Sequence, residues 1–107
     1  MVVVLDTHTL MFVSDPSLGK LGAQANELLN APGRFIVSTV SLYEIGQKFR
    51  ICKLEFGENK LRNLSDFISQ ANMEILDVDR DIAIEASLLN WKNRDPFDRI
   101  IVATALK

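Results

Sequence analysis

A chain of 107 residues, 48% hydrophobic and 24% charged, can bury one modest core; neither disorder nor several domains fits that composition. Its 12 Lys plus Arg against 14 Asp plus Glu give a net charge of -2, so a polyanionic partner must be drawn by a local basic patch or by bridging metal ions. Cys52 is the one cysteine, which excludes an internal disulfide, and the apolar start is too short for a secretory signal or a membrane span, so a cytoplasmic protein is expected.

Residues 2–5 (VVVL) form a continuous β-branched run, the pattern of a strand covered on both faces. Asp6 follows, placed to cap a helix that begins at Thr7. Pro16 and Gly19 punctuate the next stretch. Leu21, Ala25, Leu28 and Leu29 then mark a helix ending near Asn30, with Pro32 and Gly33 as its stop. Phe35, Ile36 and Val37 predict a second strand. Over residues 39–51 the spacing is helical, with Leu42, Ile45 and Phe49 on one side and Ser41, Glu44 and Lys48 on the other. Leu61, Leu64, Ile68 and Ala71 predict another amphipathic helix, residues 73–78 (MEILDV) a third strand, residues 79–91 a further helix, and residues 96–107 the last. Strands separated by helices imply one α/β domain over residues 1–107, with a central parallel sheet flanked by helices. In such sheets ligands gather at the carboxyl ends of the strands.

Acidic residues stand at one strand end and at two helix starts. Asp6 directly follows the first strand. Glu44 lies one turn after Ser41 and one turn before Lys48, where it can also form an ordinary (i, i+4) pair. Asp95 and Asp98 flank Pro96 and Phe97 at the start of the last helix, where capping and the helix dipole alone would account for both. Taken together the acids say more than each does alone. Two carboxylates roughly 4 Å apart repel by about 4 kcal/mol at an effective dielectric of 20. A hard divalent cation relieves that repulsion, and oxygen-only ligands select Mg²⁺ or Mn²⁺. Hydrolysis of phosphodiesters is the chemistry such clusters commonly serve.

Other motifs fail on inspection. Residues 77–81 (DVDRD) are spaced like a calcium loop, but Ile82 replaces the required Gly and Leu88 the required Glu, so a loop and helix cap is expected there. His8 is the sole histidine, which leaves no His-rich zinc site and no supported catalytic pair, and it stands where a haloacid-type phosphatase would have its second Asp. A receiver-like domain fits the motifs poorly.

Three segments carry a family resemblance: VVLDTHTL at residues 3–10, VSTVSLYEIGQKFRICKL at 37–54 and NRDPFDRIIVATAL at 93–106. In order and spacing they resemble the PIN-domain family, in particular the VapC-type toxins of bacterial toxin–antitoxin pairs. The resemblance implies a three-layer PIN-like domain and a ribonuclease that uses Mg²⁺ or Mn²⁺. It implies Asp6, Glu44 and Asp98 as metal ligands and Asp95 as an accessory catalytic acid. Thr7, Ser38 and Ser41 resemble the small hydroxyl residues that line the groove, and Lys48, Arg50 and Lys53 are candidate phosphate contacts. The implied partners are RNA, a cognate antitoxin that fills the acidic groove, and a second copy in a homodimer. The alternative is a catalytically inactive module that acts through dimerisation or antitoxin binding.

Two departures stand out. Cys52 occupies a position where many relatives have Gly. Relatives also continue past the last helix into further strands, one of which lies beside the first strand, whereas this sequence stops at Lys107. A last helix apolar nearly all round (Ile100, Ile101, Val102, Ala103, Ala105, Leu106) and an uncovered first strand are therefore expected to find cover from a second chain or from a longer protein.

Overall fold

The computed structural model describes residues 2–14, 30, 33–51 and 57–107. The helix expected to carry Leu21, Ala25, Leu28 and Leu29 lies outside the described residues, as do Pro16, Gly19, Pro32, Cys52 and Lys53. Three β-branched or apolar runs become strands: β1 (Val2–Val4), β2 (Arg34–Ser38) and β3 (Glu74–Leu76). They form one parallel sheet in the order β1-β2-β3, with Val3 opposite Phe35 and Val37 opposite Ile75. The helices are α1 (Thr7–Ser14), α2 (Thr39–Arg50), α3 (Glu58–Arg62), α4 (Leu64–Gln70), α5 (Arg80–Leu88) and α6 (Pro96–Leu106).

The alternation of side chains across the strands sorts the core into two layers of packing. Val3, Phe35, Val37 and Ile75 face one way, against Leu10 and Met11 of α1, Leu42 and Ile45 of α2, and Leu64 and Ile68 of α4. Leu76 points to the other face, where Val78 meets Ile82 and Ala86 of α5 and Ile100 and Ala103 of α6. Helices on both faces of a parallel sheet make the three-layer α/β arrangement expected from the sequence.

The expected single helix through Leu61 and Ile68 is broken into α3 and α4 at Asn63. There the Asn63 backbone leaves helical geometry (φ -96, ψ 5), while its side chain and its own N–H both donate to Asn59 O, at 2.8 and 3.1 Å. At the far end, Met73 N bonds Ile68 O and Asn72 N bonds Ser69 O, with Asn72 at φ 60. That 6→1 and 5→2 pair is a Schellman closure, and Asn tolerates its left-handed residue. α5 ends at Leu88, three residues short of the expected Trp91.

Because all three strands run the same way, Asp6, Ser38 and Asp77 emerge at one edge of the sheet. Two bonds fix that edge. Leu5 N donates to Ile36 O at 2.9 Å, and Val78 N donates to Thr39 Oγ1 at 3.2 Å. Among the described residues β1 pairs only with β2, and Val2 and Leu106 stand exposed.

Candidate active site

Thr7 and Glu44 lie 37 residues apart in sequence and meet at the carboxyl edge of the sheet. Thr7 is 2% exposed, and its Oγ1 stands 2.5 Å from Glu44 Oε1 and 3.1 Å from Ser41 Oγ. A hydroxyl has a single proton. The ionised carboxylate is the stronger acceptor, so Thr7 donates to Glu44 and takes its second bond from Ser41. The remaining Glu44 oxygen faces Lys48 Nζ at 3.6 Å. The Glu44 side chain is only 12% exposed, so this is a carboxylate withdrawn from water and held by neighbours.

The face of α2 that carries Ser41, Glu44 and Lys48 therefore turns inward, which a helical pattern alone does not reveal. Ser41 is fully buried; Tyr43, on the opposite side of the helix, is 64% exposed. Ser38 caps α2 by accepting from Val40 N at 3.2 Å and is fully buried too. Arg50 is exposed at the last turn of α2.

Asp6 is exposed and caps α1, its Oδ1 accepting from Thr9 N at 2.8 Å. As the residue before Thr7, it stands beside the grip on Glu44. The third acid comes from α6, which packs on both β1 and α2. In its first turn the Phe97 ring lies 6.0 Å from that of Tyr43 on α2. Asp98 is half-buried, and its Oδ2 accepts from Asn93 Nδ2 at 3.1 Å. Asp95 is the N-cap of α6, accepting from Phe97 N at 2.9 Å and Asp98 N at 3.4 Å, with Pro96 at the first helical position.

Asp6 and Glu44 stand on either side of Thr7 at the carboxyl edge of the sheet, while Asp98 comes from α6, which packs on β1 and α2; all three offer oxygen donors. Their side chains do not gather into a cage: among the described residues no three Asp, Glu, His or Cys side chains stand close enough to enclose an ion. A hollow of about 620 Å³ between α2 and α3, lined by Tyr43, Gly46, Phe49, Ile51 and Leu61 among others, includes none of the three acids and opens on another flank of α2.

Residues 3–107 match the family model of the PIN domain. The chain belongs to the PIN-domain family. Solved structures share the fold of this PIN domain. It is similar to VapC20 of Mycobacterium tuberculosis, described as a toxin cleaving the Sarcin-Ricin loop, with a TM-score of 0.66 and 16% identity over 99% of this chain and 82% of that one. It is also similar to a chain of VapBC2 from Rickettsia felis bound to a promoter DNA fragment, with a TM-score of 0.57 and 17% identity over 98% of this chain and 83% of that one. Identities so low establish a common fold. Among proteins of curated function the sequence has no match.

Two residues that the sequence did not single out organise the Asp98 side of this PIN domain. Asn93 accepts from Asp95 N at 2.9 Å through Oδ1 while its Nδ2 holds Asp98. Arg99 donates from Nε to Ala86 O at 2.9 Å, from Nη1 to Trp91 O and Asn93 O, and from Nη2 to Leu89 O and Ser87 O. One guanidinium thereby satisfies the open carbonyl end of α5 and the loop that leads to Asp95. Asn93 had a local signal, an Asn just before a capping Asp. Arg99 had none, since its partners are backbone atoms up to 13 residues away.

Proposed function

We propose that this PIN domain is a metal-dependent endoribonuclease that hydrolyses RNA phosphodiester bonds and serves as the toxin of a toxin–antitoxin pair. The observation that carries the reading is the low-exposure carboxylate of Glu44, gripped by the residue that follows Asp6. Burying a carboxylate is costly, and a fold retains one at a strand edge when it has work there. Asp6, Glu44 and Asp98 would hold Mg²⁺ or Mn²⁺, which when bound would activate water for attack on phosphorus. Thr7 and Ser41 orient Glu44, Asn93 orients Asp98, and Asp95 fixes the helix start that presents it. The resemblance to VapC-type toxins supports an antitoxin as inhibitory partner, a homodimer, and a cytoplasmic setting; no described helix is long and apolar enough to cross a membrane.

The test is cleavage of defined RNAs. Activity should require Mg²⁺ or Mn²⁺, stop with chelator, and vanish in Asp6→Asn and Asp98→Asn. Parent-like cleavage by both variants would refute the site. A second reading, an inactive module that binds antitoxin or dimerises, is favoured by the caps that Asp6 and Asp95 form and by the lack of a gathered carboxylate cluster among the described residues. Mn²⁺ separates the two readings, since it raises thermal stability only if the carboxylates converge on it.

A further inference from the structure

Beside Asp98 lies a second hollow, of about 580 Å³, lined by Trp91, Lys92, Asn93, Arg94 and Arg99. It gathers three cations in a chain whose net charge is -2. Trp91 is 43% exposed, a large indole left half in water. Among the described residues, neither Lys92 nor Arg94 has an ion-pair partner. Lys48, by contrast, is already engaged by Glu44.

The frame around Trp91 is fastened. Arg99 holds the carbonyls of Leu89, Trp91 and Asn93, and Trp91 N donates to Leu89 O at 2.9 Å. Asn93 in turn holds Asp98. The backbone that carries the indole and the two unpaired cations is thus fastened at Trp91 and Asn93, next to a proposed metal ligand. Binding surfaces gain affinity when their groups are ordered beforehand.

We propose that this hollow receives an unpaired nucleobase of the RNA strand, with Trp91 stacking on the base and Lys92 and Arg94 neutralising the flanking phosphates. The inference rests on the ribonuclease reading and adds where on this chain a base free to stack on an aromatic ring would be held. Stacking tolerates any base, so the platform sets strandedness and register more than sequence.

Trp91 is the only tryptophan, so its fluorescence reports directly on the hollow. The full chain, held in EDTA, is titrated with a short single-stranded RNA, the same RNA as a duplex, and an oligoglutamate of equal charge. Quenching is expected with the single strand only. Trp91→Ala should weaken single-strand binding about five- to 150-fold, and Trp91→Phe should retain most of it. Lys92→Gln and Arg94→Gln should each flatten the log–log salt dependence by about 0.7. Cleavage of the same RNA by the parent chain with Mn²⁺ tests the nuclease reading separately. Cleavage with no quenching and unchanged binding in Trp91→Ala overturns the platform alone. Quenching without cleavage leaves the platform standing and removes the nuclease reading. Equal quenching by duplex or oligoglutamate also overturns the platform, as it would show a site for charge rather than for a base.

Discussion

Thr7→Val replaces one hydroxyl by a methyl at nearly constant volume, and the structure says what that should cost. Thr7 is 2% exposed and donates over 2.5 Å to a carboxylate that is itself 12% exposed. Hydrogen bonds to charged groups contribute about 1.5–3 kcal/mol, and the loss strands the Ser41 hydroxyl as well. A destabilisation of about 2–3 kcal/mol follows, which for a domain of this size lowers Tm by roughly 8–24 °C. Urea and thermal unfolding followed by circular dichroism measure it, with Thr7→Ser as a control that keeps the hydroxyl. A double-mutant cycle with Glu44→Ala isolates the pair: in that background Thr7→Val should cost less than about 1 kcal/mol. Costs that add within about 0.5 kcal/mol would mean that the two side chains do not interact, and the account of how Glu44 is held would fail.

Arg99→Lys keeps the charge but loses the planar fork, so most of its carbonyl bonds go; a loss of about 2–4 kcal/mol is expected in urea unfolding, and under 0.5 kcal/mol would refute the role given to Arg99. Lys48→Met frees Glu44 from a competing cation, so isothermal titration should show Mn²⁺ binding about three- to tenfold tighter; unchanged Mn²⁺ affinity with weaker RNA binding would make Lys48 a phosphate contact instead. Acid should weaken the fold through two exposed groups: the bond from Lys107, then that from Ile82 N–H, holds Asp79 below the usual 3.8, and the Arg34 bond holds Glu74 below 4.5. Depressed carboxyl values mean that this stability is complete above pH 4.5 and is lost as pH falls through the lower folded values, so Tm against pH should fall less steeply in acid for Asp79→Asn and Glu74→Gln than for the parent. Lys107 is raised by Asp79, so its share persists to pH 10.5 and is lost only as pH rises through the higher folded value, an alkaline fall in Tm that Lys107→Ala should lack.

The strands and most helices were legible because β-branched runs and 3.6-residue spacing are local signals, and the structure meets them within a few residues at β1, β2, α2 and α6. Caps were equally legible: Asp79 accepts from Ile82 N at 2.8 Å where residues 77–81 were read as a loop and cap. Two features were not. The break at Asn63 is a change of backbone angle at one residue (φ -96, ψ 5) within an apolar pattern that otherwise runs on. The inward turn of Glu44 is set by Thr7, 37 residues away, so helical periodicity could only name the face as polar. The acids themselves were visible as residue types at strand and helix ends. Of the donors that hold them, Asn93 is local to Asp98, whereas Thr7 reaches Glu44 only through tertiary placement.

On the proposed reading, each acid meets the problem of repulsion before any metal does. Asp6 is held by Thr9 N–H, Glu44 by Thr7 and Lys48, and Asp98 by Asn93. Each carboxylate therefore has a donor of its own in the metal-free chain. Binding of a divalent ion is then an exchange, in which the ion must replace what Lys48 and Asn93 already give. Metal affinity becomes the difference between two sets of contacts and can be changed at positions that never touch the ion. Loss of Lys48 raises it by removing a competitor. Loss of Asn93 frees Asp98 but also releases the loop on which Trp91 is carried, so in that variant metal binding and base stacking should move in opposite directions.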